Sequence, residues 1–209
     1  MTDRNASLLA LLGSVLLLPG CAAGAGGAAS SAAAGIDTPK PALDDGPVAR
    51  AAYAISLGQQ GETNADAKSL RTAAQLLASL GAKPDNGEED DLSSRWSEQA
   101  SLLDPSITSP VYRGRALGPS YKKGTVSATL AVKTDQIFLA GKKAAVALVP
   151  VSAKPMSIKI SDGRGENVCK TGVSSKPMNC EWLPLFTGRY RIRIETSARE
   201  PAAYYLVSN

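Results

Sequence analysis

The sequence predicts an α+β protein in which a short helical segment precedes an antiparallel, jelly-roll-like β-sandwich. Three observations predict it. Apolar residues keep helical spacing up to about residue 104, and from Thr125 the spacing changes to period two. Short alternating segments then recur at intervals of about 8–15 residues, with Gly- and Asp-containing turns between them. Charge divides at the same boundary: residues 36–107 hold six Lys and Arg against twelve carboxylates, and residues 108–209 hold sixteen against six. The formal net charge of +4 therefore conceals an acidic and a basic half.

Before the helices lies an address. Ala6 to Leu18 is uncharged, with Ser7 and Ser14 as its hydroxyls. Those 13 residues are short for a bilayer span, which needs about 20, and suit the apolar region of an export signal, about 7–15. Arg4 precedes the run and Leu18-Pro19-Gly20-Cys21 ends it. That ending resembles the lipobox of bacterial lipoproteins, although Pro19 stands where the pattern has a small or β-branched residue. The resemblance implies a signal peptide over residues 1–20 and a diacylglycerol on Cys21, so that the membrane is met through a lipid anchor and not a span. Ala22 follows the cysteine where an inner-membrane retention signal would have Asp, which implies the periplasmic face of the outer membrane. The alternative is an ordinary export signal cut near the Ala-rich stretch, with Cys21 unmodified or removed. Residues 21–46 are Ala, Gly, Ser and then Pro-rich, and cannot bury enough apolar area to offset ordering entropy. They read as a disordered tether with a mean reach of about 25–30 Å.

The helical segment spans residues 47–104. Pro47 suits a first helical residue, and Gly58 and Gly61 are expected to stop the first helix. Asn64 is expected to cap a second, with Ala67, Leu70, Ala74, Leu77 and Leu80 on its apolar face and Gly81 at its end. A third follows near Ser93–Leu103, its first turn favoured by Asp90 and Asp91 and its stripe made of Trp96, Ala100 and Leu103. The helix pair does not recur, so a repeat stack is not predicted. The acidic run Glu88–Asp91 lacks the alternating ligands of a calcium loop and reads as solvated.

The sandwich spans residues 108–209. Val126, Ala128, Leu130 and Val132 share one face of an expected first strand. "AAVALVPV", "MSIKIS", "ENVCKT", "RYRIRIE" and "AYYLVS" follow as further strands. Residues 122–209 resemble the bacterial pre-peptidase C-terminal domain, through "IFLAGKKAAVALV", "MSIKISDGRGENVCKT", "CEWLPLFTGRYRIRIE" and "AYYLVSN". Gly188, Tyr190, Tyr205 and Val207 fit that family's closing strands. The resemblance implies a binding or stabilising module and transfers no catalytic residue. "SIKI" stands where the family often has acidic residues, so no cation site is carried over.

Cys169 and Cys180 remain as a pair for an oxidising compartment and predict a structural disulfide, since they lack the C-x-x-C of a redox pair. The chain contains no histidine, which removes Ser-His and Cys-His nucleophiles and the commonest zinc ligand. Ser120 and Lys123 form an S-x-x-K, followed by "SDG" at 161–163 and "KTG" at 170–172. Ser120 sits in a Gly/Pro turn and not at a helix start, so the order is read as coincidence. Trp182 is expected to pack on the bridge beside it.

"RYRIRIE" turns Tyr190, Ile192 and Ile194 inward and Arg189, Arg191 and Arg193 outward. Lys159 joins them if its strand lies in the same sheet. These four are the candidate anion-binding residues; no catalytic residue, metal ligand or cofactor is predicted. The functional expectation is a non-enzymatic lipoprotein that binds an anionic envelope component, peptidoglycan or lipopolysaccharide, with nucleic acid excluded by location. The alternative is an adaptor that docks an envelope protein through its acidic helices. A competing account of the basic face is that these helices lie on it and neutralise it.

Overall fold

The computed structural model describes residues 40, 42, 45–85, 91–106 and 117–209. The expected signal peptide, Cys21 and most of the tether lie outside these. No helix among the described residues is long and apolar enough to cross a membrane.

Helix α1 (Pro47–Asn64) begins with Pro, whose missing N–H costs nothing there. It runs through Gly58 and Gly61 where the sequence reading stops it. Close packing, and not chain termination, explains both glycines: a Cβ on Gly58 would lie 2.3 Å from the Trp96 ring, and one on Gly61 2.9 Å from Leu70. Helix α2 (Ala67–Leu80) is capped by Asp66, not Asn64, because the Asp66 carboxylate accepts the Lys68 N–H at 3.0 Å. Gly81 closes it at φ 66°, in the left-handed region. Helix α3 (Leu92–Leu103) is capped by Asp91, which accepts the Ser93 N–H at 2.9 Å and pairs with Lys83. Trp96 and Ala100 are buried as expected, whereas Leu103 is 45% exposed.

Nine strands follow or interleave: β1 (Lys83–Pro84), β2 (Ser120–Val126), β3 (Val132–Phe138), β4 (Ala144–Pro150), β5 (Met156–Ser161), β6 (Asn167–Lys170), β7 (Met178–Trp182), β8 (Gly188–Thr196) and β9 (Ala202–Ser208). They form a five-stranded sheet, β1-β2-β9-β4-β7, and a four-stranded sheet, β3-β8-β5-β6. Apart from the parallel β1–β2 contact, every pair is antiparallel. The fold is thus an α+β protein built on a β-sandwich. The strand expected to run from Thr125 to Val132 is two strands in opposite sheets. Between them the Ser127 hydroxyl accepts the Leu130 N–H at 3.1 Å, a serine turn that breaks the alternation and leaves Leu130 73% exposed.

Two cores share the five-stranded sheet. Between the sheets lie Ile158 and Ile160 of β5, Ile192 and Ile194 of β8, and Val146, Leu148, Tyr204 and Leu206 from the facing strands. On the other side of the same sheet, Ala145, Ala147, Val149, Tyr205 and Val207 belong to a core shared with the three helices, of which α1 packs on β4 and β9. β4 is therefore buried at every position. Its unbroken apolar run reflects a strand covered on both faces. The helices are a third layer on the sandwich. Cys169 and Cys180 are disulfide-bonded, Cα–Cα 6.0 Å, and join edge strand β6 of one sheet to edge strand β7 of the other.

Candidate anion-binding face

Because the helices cover the five-stranded sheet, the outer face of the four-stranded sheet carries exposed side chains. On β8 the alternation is as the sequence predicts: Tyr190, Ile192 and Ile194 are buried, and Arg189, Arg191 and Arg193 exposed. The acidic helices do not lie on this face; their apolar stripes belong to the other sheet.

Pairing register decides what the arginines meet. Lys133 of β3 stands opposite Arg193, Arg193 opposite Lys159 of β5, and Lys159 opposite Lys170 of β6. Four cations on four adjacent strands make a row across the sheet. With strands about 4.8 Å apart, it is about 14 Å long. All four are exposed, and Lys133, Lys159 and Lys170 have no ion-pair partner among the described residues. Like charges directly opposite each other destabilise a sheet, so stability alone does not favour this arrangement.

Along β8 the charge is more balanced. Asp135 of β3, opposite Arg191, accepts from its Nε at 2.9 Å and its Nη2 at 3.1 Å, with Arg189 3.9 Å away. The bidentate Arg191 bond holds the Asp135 carboxyl below the usual carboxylate range. Arg193 donates from Nε to Glu195 at 2.9 Å. The structure thus brings Arg193 and Lys159 directly together and gives Arg189 and Arg191 a shared carboxylate. Lys133 and Lys170 are the additions. The sequence reading names neither, and only the register joins them to Arg193.

The row is held at its outer end by covalent chemistry. β6 is four residues long, and Lys170 follows Cys169, which is bonded to β7. The β5–β6 turn is fixed by Asp162, which accepts the N–H groups of Arg164 and Glu166, both at 2.9 Å. Beside Arg193, a shallow cavity of about 300 Å³ is bordered by Ser127, Thr129, Ser157, Glu195 and Thr196.

The S-x-x-K pair does not assemble. Ser120 and Lys123 lie on β2 at odd spacing, hence on opposite faces. Ser120 meets the Ser208 hydroxyl at 3.4 Å, and Lys123 lies 6.0 Å from the Tyr205 ring centroid. Trp182 packs edge-on to Phe138 at 4.8 Å and 5.4 Å from Tyr190, in an aromatic cluster between the sheets.

No family model matches the chain, and no curated protein is significantly similar to it. Among solved structures it is similar to the pre-peptidase C-terminal domain of collagenase from Bacillus anthracis, at 9% identity and TM-score 0.38, over 43% of this chain and 87% of that one. It is also similar to the Yersinia pseudotuberculosis-derived mitogen, at 15% identity and TM-score 0.36, over 44% of this chain and 85% of that one. A third is PliG of Aeromonas hydrophila, a periplasmic inhibitor of g-type lysozyme, at 14% identity and TM-score 0.34, over 48% of this chain and 92% of that one. At these values the similarities carry no argument about function.

Proposed function

We propose that this protein is a non-enzymatic envelope module, lipid-anchored through Cys21 at the periplasmic face of the outer membrane. It binds or organises an anionic envelope polymer on the outer face of its four-stranded sheet. The row Lys133, Arg193, Lys159, Lys170 is the observation that supports this reading most. Its length matches successive phosphates or carboxylates on a polymer, and an anion laid across it relieves repulsion already present in the sheet. Lipopolysaccharide phosphates and peptidoglycan carboxylates share that chemistry. The absence of histidine and the opposed faces of Ser120 and Lys123 support a binding role over catalysis.

The adaptor reading has less behind it, because most apolar residues of α1, α2 and α3 are already buried in the core they share with the five-stranded sheet, with Leu102 and Leu103 of α3 left exposed. Sedimentation of the protein with purified peptidoglycan or lipopolysaccharide, at low and at high salt, tests the proposal. Binding that weakens as ionic strength rises is expected. Failure to bind either polymer at low salt would overturn it.

A further inference from the structure

Five of the ten exposed large apolar side chains among the described residues gather at one end of the sandwich: Ile137, Leu139, Leu183, Leu185 and Phe186. Leu185 and Phe186 are 81% and 79% exposed. They stand on two loops that the structure ties together. The Ala140 N–H donates to the Thr187 hydroxyl at 3.0 Å, and the Gly141 N–H to the Pro184 carbonyl at 3.0 Å. The Phe138, Trp182 and Tyr190 rings brace the loops from below. The tip is therefore a supported apolar surface.

Charge says what covers it: exposed Lys142, Lys143 and Arg189 rim the tip, with Lys143 paired to Glu181. An apolar prow with cations at its shoulders fits an interfacial bilayer contact, the side chains in the acyl boundary and the cations among anionic headgroups.

We propose that this loop tip is a lipid-contacting edge that seats the sandwich on an anionic membrane surface. The cation row then stands away from the bilayer, since Arg193 lies five residues up β8 from Gly188, about 17 Å at strand rise. This inference is independent of what the row binds.

The test uses the full chain with Phe186→Trp or Leu130→Trp, mixed with phosphatidylethanolamine–phosphatidylglycerol vesicles carrying brominated acyl chains. Leu130 is similarly exposed but lies at the opposite end of the sandwich, and Trp96 and Trp182 contribute the same background to both variants. Quenching of the Phe186→Trp signal at least about twofold greater than that of Leu130→Trp is expected. Equal quenching of the two, or none, would overturn the proposal. So would a Phe186→Trp signal already shielded from iodide without lipid, because the tip would then be covered by a second copy or by residues 6–18.

Discussion

Replacing Gly58 by Ala sets helix propensity against packing. In an exposed helix the change stabilises by about 1 kcal/mol. Here the new Cβ would meet three atoms of the Trp96 ring at 2.3, 2.4 and 2.5 Å. Ordinary contact requires the ring to retreat by about 1 Å. Trp96 is fully buried, and its Nε1 donates to Glu62 at 2.8 Å, so retreat stretches that bond and strains the α2–α3 packing. Overpacking of this kind costs about 1–3 kcal/mol, and weakening a hydrogen bond to a charged group adds about 1 more. Against the propensity gain, the variant should be less stable by about 2 kcal/mol. Urea unfolding followed by tryptophan emission measures this. The penalty should shrink in a Trp96→Phe background, where the ring is smaller. A Gly58→Ala protein stabilised by about 1 kcal/mol would refute the reasoning, since propensity alone would then suffice.

Breaking the bridge with Cys169→Ser and Cys180→Ser should lower stability by about 3 kcal/mol, from the loop it closes across a sequence separation of 11, and should weaken polymer binding by loosening Lys170. Unfolding with and without reductant provides the check, and equal stabilities would contradict it. Asp135 should titrate below the usual carboxylate range by NMR, because Arg191 favours its charged form. A folded pKa below the unfolded one means that its contribution is present above the carboxylate range and is lost as pH falls through the folded value. Asp135→Asn should accordingly flatten that acid limb and, by releasing Arg191, strengthen polymer binding. Cys21→Ala should release the protein from the membrane fraction and abolish incorporation of labelled palmitate; wild-type protein that takes up no label would contradict the lipid anchor.

Much of the fold was legible because it rests on local pattern. The 3.6-residue spacing of α2, Gly81 at its end and the alternation of β8 are all written in short windows. Gly58 and Gly61 misled for the opposite reason. As sequence they are helix stops, and only the ring of Trp96, 38 positions away, shows why a glycine is needed within a continuing helix. Leu130 shows a second limit, since a serine turn can interrupt a period-two pattern without changing its apolar spacing. The runs "AAVALVP" and "AAYYLVS" are expected only as sandwich strands, and their near-continuous apolar character comes from the helical layer on the second face of their sheet. For the candidate site, outward-facing Arg189, Arg191, Arg193 and Lys159 were legible from alternation. Their partners were not. Register places Asp135 on Arg191 and sets Lys133 and Lys170 in line with Arg193, and register is a property of strand pairing, across 56 residues for Asp135 and Arg191.

The most direct test of the central claim compares two variants with the same change in charge. Lys159→Glu lies in the middle of the cation row, and Lys68→Glu lies on α2, in the helical layer. Each is exposed, and each lowers the net charge by the same amount. Affinity for peptidoglycan or lipopolysaccharide, measured by sedimentation at a fixed low salt, should fall about tenfold or more for Lys159→Glu and change little for Lys68→Glu. The Lys159→Glu protein should also unfold no earlier than wild type, because the substitution relieves repulsion between neighbouring cations. Equal losses from the two variants would contradict the account, since binding would then follow net charge and not the row.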